Sequence, residues 1–72
     1  MSKFSENLIA LRKERKLFQK DIATGIGCTL RAYQYYEADK QEPTLSKLTA
    51  LADFYNVSLD YLVGRSDDPT RH

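Results

Sequence analysis

The stretch from Gln19 to Glu37, QKDIATGIGCTLRAYQYYE, constrains the fold more than any other part of the chain. Ile22, Ala23 and Ile26 repeat at helical spacing, Gly27 interrupts them, and a second helical pattern begins after Thr29, whose hydroxyl suits a helix N-terminus. Helices this short are marginal in water, so each must be held by packing. Gly25 adds to that need, since glycine inside a helix costs about 1 kcal/mol relative to alanine. Gly27 suits a left-handed turn, with Cys28 as an apolar anchor after it. The helix after this turn, the third of the chain and expected over residues 30 to 38, sets Tyr33 and Tyr36 on one side and turns Leu30, Arg31, Gln34 and Tyr35 elsewhere. Those four make a mixed polar, cationic and aromatic surface for which a core has no use.

The flanking segments supply the rest of a small core. Ser2 or Ser5 caps a first helix running to about residue 16, in which Phe4, Leu8 and Leu11 form one apolar stripe. Its LRKERK segment puts positive charge near the helix C-terminus, where cations favour the macrodipole. Leu17 then drops inward, and helix two is expected over residues 19 to 26. The clearest amphipathic period is Leu45, Leu48, Leu51, Ala52 and Tyr55, entered through Pro43 and Thr44 and ended by Asn56. Ser58 caps a last short helix through about Val63, stopped by Gly64. Nothing alternates with period two, so the chain reads as an all-α, five-helix domain over residues 1 to 64. The polar remainder, RSDDPTRH, reads as a loosely attached flexible tail over residues 65 to 72. The expected core is Phe4, Leu8, Leu11, Leu17, Ile22, Ala23, Ile26, Cys28, Tyr33, Tyr36, Leu48, Leu51, Ala52, Val57, Leu59 and Leu62.

Composition excludes several classes. A chain of 72 residues holds one domain, and its small core leaves it marginal unless a partner helps. One cysteine rules out an internal disulfide framework and a cysteine-rich zinc site. With no secretory leader, a reducing cytoplasm is the expected compartment. No apolar run approaches the roughly 18 residues that span a bilayer. Charge is uneven: residues 1 to 40 carry eight Lys or Arg against five Asp or Glu, and residues 41 to 72 carry three against five. A basic half and an acidic half fit a domain that meets a polyanion on one side, and equally fit ordinary solvated faces.

Two short helices joined by a tight glycine turn form the pattern of a helix-turn-helix, whose second helix can enter the DNA major groove. Ala23 must be small where the helices approach, Gly27 must turn, and Ile22, Ile26, Cys28, Tyr33 and Tyr36 must close the angle. At these residues, and in LADFYNVSLDYLVG at Leu51 to Gly64, the chain resembles the Cro and lambda-repressor-like regulators of the Xre family, over about residues 4 to 64. The resemblance implies a compact five-helix domain that binds operator DNA as a homodimer, with the recognition helix reading bases.

Carried over by position, the base-reading roles fall on Thr29, Leu30, Arg31, Gln34 and Tyr35. Arg31 is suited to guanine O6 and N7, Gln34 to adenine, and Leu30 to a thymine methyl, while Tyr35 can instead bond a phosphate. Phosphate contacts fall on Gln19 with the backbone N–H groups beginning helix two, on Lys20, and on Lys40 and Gln41. The resemblance also pairs Arg12 with Glu37 as a partly buried salt bridge. Phe18 departs from the usual Ser or Thr cap, so helix two should start without a side-chain cap and Phe18 should pack instead. Asp39 replaces a common glycine, which Asp tolerates in a left-handed conformation.

An enzyme has little to work with here. The sole histidine is the terminal His72, which reads as neither base nor metal ligand, and Cys28 reads as a buried apolar residue before a redox switch. No cofactor, metal or small-molecule ligand is implied. The remaining rival is a protein-interaction module of the same fold, an antitoxin or adaptor. A homodimer is expected through the last helix, with Tyr55, Leu59, Tyr61 and Val63 as its contacts. Such a dimer should read a near-palindrome with half-sites roughly 34 Å apart, and repression is expected over activation.

Overall fold

The computed structural model describes residues 2–71; Met1 and His72, and with them the reading of His72, lie outside the described residues. The chain forms α1 (Lys3–Glu14), α2 (Gln19–Ile26), α3 (Leu30–Glu37), α4 (Leu45–Tyr55) and α5 (Leu59–Leu62), with no strand among the described residues. The expected all-α fold is the one found.

Four helices start on a hydroxyl. Ser2 accepts from Ser5 N at 3.2 Å, Thr29 from Ala32 N at 3.1 Å, Thr44 from Lys47 N at 3.2 Å and Ser58 from Tyr61 N at 3.0 Å, each satisfying an N–H that the helix cannot. Phe18, before α2, offers no such cap. Asp21 substitutes in part, its carboxylate accepting from Phe18 N at 2.8 Å. Phe18 does not pack, however: it stands 71% exposed, because the first turn of α2 directs it away from the core. Left-handed residues end α2 and α4, namely Gly27 (φ 75°) and Asn56 (φ 56°), and Asp39 after α3 has φ 61°. α1 stops two residues short of its expected end, where Lys16 turns left-handed at φ 56° and lets Leu17 double back.

α2, α3 and α4 enclose the core with α1, and α5 closes it. Leu8, Ile22, Tyr33, Leu51, Tyr55 and Leu62 are fully buried. Phe4, Leu17, Cys28 and Leu48, expected inside, are half-buried and pack around that centre. Two expectations change. Leu59 is 38% exposed rather than core, since α5 is a single turn and Leu62 takes its one inward position. Tyr55 has no exposed surface and cannot meet a second copy of the chain; it completes the stripe of Leu51 and Ala52.

Gly25 proves to be a packing residue. A Cβ there would stand 2.5 Å from Phe54 Cε2, so the missing side chain lets α2 lie against the ring of α4. That ring packs edge-on against Tyr55 at 5.1 Å, which limits its retreat. Residues 65–71 run back along α4 and α5: Ser58 N donates to Pro69 O at 3.0 Å, and Arg71 Nη2 to Asp53 Oδ1 at 2.6 Å. No helix among the described residues is long and apolar enough to cross a membrane.

Gly25→Ala sets a gain in helix propensity of about 1 kcal/mol against overpacking, which typically costs 1–3 kcal/mol. Overpacking is expected to win. Urea denaturation should show a net loss of about 1 kcal/mol, recovered when Phe54→Leu is added.

Candidate nucleic-acid interface

The turn between α2 and α3 is fastened from both sides. Cys28 N donates to Ala23 O at 2.9 Å and Gly27 N to Thr24 O at 3.3 Å, which satisfies carbonyls at the end of α2. From the first turn of α4, Lys47 reaches across and donates through Nζ to Ile26 O at 3.1 Å and Gly27 O at 2.9 Å. A cation at the negative end of α2 is favourable, whereas in the first turn of its own helix it opposes the macrodipole. That misplacement was the only hint of Lys47 in the sequence. Burial pushes the Cys28 thiol up despite Lys47, which suits an apolar anchor and not a nucleophile.

Behind α3 lies the ion pair. Arg12 Nε donates to Glu37 Oε2 at 2.7 Å and Nη2 to Oε1 at 3.1 Å, a two-pronged contact, while Nη1 reaches Leu17 O at 3.3 Å. Glu37 is only 6% exposed. Burial alone would push its carboxyl up; the bonds from Arg12 and Gln19, with the dipole of the nearby Tyr33 hydroxyl, outweigh it and hold the group below the usual carboxylate range. Arg12 is held charged in turn, chiefly by its bond to Glu37. Tyr33 and Tyr55 bring their hydroxyls to the same buried corner, outside hydrogen-bonding geometry. Burial and then Glu37 raise the Tyr33 phenol well above its ordinary value, so it stays neutral.

On the opposite side of α3, Leu30 is 43% exposed, Arg31 and Gln34 are exposed, and Tyr35 is half-buried. Arg31 Nε donates to the Tyr35 hydroxyl at 3.0 Å, and its guanidinium carbon stands 5.7 Å from the Tyr35 ring centroid. That bond uses Nε and leaves the N–H donors of the two Nη groups for other partners. Gln34 Nε2 donates to Gln19 Oε1 at 3.2 Å, and Gln19 Nε2 to Glu37 Oε1 at 3.2 Å. Thr29 is occupied as the cap of α3 and keeps its own proton to donate. Lys20 is exposed before this face, and Lys40 and Gln41 after it. Lys40 N closes α3 by donating to Tyr35 O at 2.9 Å, and the Asp39 carboxylate accepts from Ser2 N at 2.9 Å. Exposed Phe18 lines a shallow hollow with Gln19, Lys20 and Leu30 at the edge of the same face.

A helix-turn-helix family model matches residues 8–62. The chain belongs to the helix-turn-helix family of Xre type. It is 42% identical over 66 residues to the uncharacterized HTH-type transcriptional regulator YobD of Bacillus subtilis, covering 92% of this chain and 59% of that protein. It is 41% identical over 64 residues to the cryptic phage CTXphi transcriptional repressor RstR of Vibrio cholerae, covering 89% of this chain and 58% of that one. The chain thus spans under two thirds of the length of these curated relatives. Among solved structures it is similar to the P22 c2 repressor in complex with synthetic operator 9T, with a TM-score of 0.84 and 27% identity over 92% of this chain and all of that one. A transcriptional regulator from Listeria innocua superposes with a TM-score of 0.82 at 35% identity, over 89% of this chain and 61% of that one. The Xre-type fold carries its two-helix motif here at α2 and α3, with Gly27 as the turn.

Because the folded Glu37 carboxyl titrates below its ordinary value of 4.5, its contribution to stability is fully present above that pH. It is lost as pH falls through the lowered folded value. Arg12→Met leaves the buried carboxylate unpaired and should cost about 3 kcal/mol at pH 7 by urea denaturation. The penalty should shrink as the pH drops and Glu37 takes a proton, so the stability curves of variant and parent converge in acid.

Proposed function

We propose that the chain is a sequence-specific DNA-binding regulator, acting as a repressor, that places α3 in the major groove of a near-palindromic operator as a homodimer. One observation carries this reading: α3 presents Leu30, Arg31 and Gln34 outward while its opposite face is locked to the core through Glu37. A helix so held, with such an outward face, suits base readout. The likeness to a repressor whose structure includes its operator supports the same reading.

In this reading Arg31 directs its two Nη groups at guanine O6 and N7, with Tyr35 steadying the guanidinium from below. Leu30 presses on a thymine methyl, Gln34 reads a neighbouring base, and Thr29 donates its hydroxyl proton at the groove edge. The Tyr35 hydroxyl accepts from Arg31 and still has a proton for a phosphate. Gln19 has one N–H left for the backbone, Lys20 flanks it, and Lys40 and Gln41 neutralise phosphates beyond the end of α3. Dimer contacts fall on Leu59, Tyr61 and Val63, which stand partly exposed on α5 and at its C-terminal end; Tyr55 plays no part in them.

Selection from a random duplex pool at fixed salt should recover an inverted repeat with half-site centres roughly 34 Å apart. Arg31→Ala should abolish preference at one base pair per half-site, a loss of about 1–3 kcal/mol in discrimination. Lys40→Ala should weaken binding to every sequence alike and flatten the salt dependence by about one phosphate contact. Equal, salt-insensitive behaviour of the two variants would refute DNA binding through this face.

Leu59→Glu addresses the dimer separately. It should leave the thermal midpoint within a few degrees, as befits an exposed position, yet shift sedimentation toward monomer and weaken binding to the full repeat more than to a half-site. An unchanged mass and an unchanged full-site affinity would remove α5 from the interface.

A further inference from the structure

We propose that Phe18 is a contact residue for the sugar of the DNA backbone, its exposed ring packing on one deoxyribose at the edge of each half-site. The proposal rests on the DNA-binding reading above and adds to it a component of DNA that neither the base-reading nor the phosphate-binding side chains engage.

The position of the ring carries the inference. Phe18 immediately precedes α2 and shares a shallow hollow with Gln19, Lys20 and Leu30. Leu30 opens α3 and is itself 43% exposed, so the hollow continues the outward face of α3 without a break. In a docked helix-turn-helix the second helix fills the groove and the first crosses the backbone. A side chain at the start of α2 therefore meets a strand's backbone and not its base edges. That backbone offers two surfaces, the anionic phosphate oxygens and the apolar C–H face of the deoxyribose. Phe18 cannot serve the phosphate: its ring has no N–H or O–H to donate, and its backbone N–H is spent on Asp21 Oδ2 at 2.8 Å. Lys20 can, and its Nζ stands 6.0 Å from the Phe18 ring centroid. An ammonium set on a phosphate thus leaves the ring over a neighbouring sugar. Lone apolar side chains on a protein surface are ordinary. Here two of the four large exposed apolar side chains among the described residues, Phe18 and Leu30, share one hollow beside a lysine on the face that meets DNA.

The test measures the parent, Phe18→Ala, Phe18→Leu and Lys20→Met on duplexes the parent selects and on unrelated duplex, over a range of salt. Phe18→Ala should keep its thermal midpoint, as befits an exposed position, and lose about fivefold in affinity for every sequence, the amount that burying roughly 40 Å² of apolar surface supplies. Its salt dependence should stay parental, because no phosphate contact is lost, whereas Lys20→Met should flatten the slope by about one contact. Phe18→Leu, which keeps an apolar side chain, should retain most of the affinity. Ribonucleotides placed singly along the selected duplex then locate the sugar: one added 2′-hydroxyl per half-site should weaken the parent and leave Phe18→Ala indifferent. Parental affinity for Phe18→Ala would overturn the proposal. So would a penalty that vanishes when deoxyuridine replaces thymidine throughout, since the ring would then sit on thymine methyls. Either result leaves DNA reading standing as long as Arg31→Ala and Lys40→Ala behave as set out above. A parent that binds no duplex ends both readings together.

Discussion

Arg12 and Glu37 make the contact on which the rest of this domain depends. It joins the last turn of α1 to the last residue of α3, and Gln19 extends it to the first residue of α2. Three helices therefore meet at one carboxylate. As a source of net stability a buried ion pair is weak, because stripping water from both charges offsets most of their attraction. What it supplies is direction. The fork of a guanidinium on a carboxylate admits few orientations, so the angle at which α3 leaves the core is set more tightly than apolar packing alone would set it. In an eight-residue helix with little stability of its own, that anchorage decides where the outward residues point.

The cost of this arrangement is visible around it. Tyr33 and Tyr55 bury their hydroxyls next to Glu37 without hydrogen-bonding geometry, and unpaired buried polar atoms are expensive. Both rings nonetheless fill the centre: Tyr33 packs edge-on against Tyr36 at 6.4 Å, and Arg15 lies over the Tyr55 ring at 5.4 Å while donating to Tyr55 O at 2.7 Å. Phenylalanine would fill the same space. The Tyr33 hydroxyl instead places a neutral dipole against a charge that has left water, which helps keep Glu37 ionised.

Local physics was legible in the sequence, and long-range polar physics was not. The hydroxyl caps Thr29 and Ser58, the left-handed turns at Gly27 and Asp39, the start of α4 after Pro43 and Thr44, its end at Asn56, and the apolar periods of α1, α2 and α4 follow from neighbours within one or two turns, and all stand in the structure. Asn7 on Tyr61 O, Arg15 on Tyr55 O and Lys47 on Ile26 O were not foreseen, because each bonds a helix end 21 to 54 residues away. Those three contacts share one purpose, satisfying carbonyls at the C-terminal ends of helices too short to spare them. The packing partner of Gly25 was hidden for a related reason: a propensity scale sees only the helix it weakens, whereas the ring of Phe54 that it admits lies on another helix. Tyr55, expected at a dimer contact, is inside, and Leu59, expected in the core as well as at that contact, is partly exposed, because hydropathy does not separate an inward tyrosine from an outward leucine at the joint between α4 and α5. At the site, the outward residues were found by exclusion from the core stripe of α3, a local argument; the bonds among Gln34, Gln19 and Glu37 needed the fold.

The two faces of α3 answer to different physics. Tyr33, Tyr36 and Glu37 are buried and coupled to α1, α2 and α4, so changes there act through cavities and stranded charge and reach the whole domain. Leu30, Arg31 and Gln34 stand in solvent, where substitutions usually move stability by half a kcal/mol or less. A helix divided this way can alter what it reads without altering how it is held. Gln34 is the exception, since it alone of those three bonds to a residue that also bonds the buried carboxylate. Replacing Leu30 or Arg31 changes a contact; replacing Gln34 also removes the bond to Gln19 Oε1, on the same amide whose Nε2 donates to Glu37.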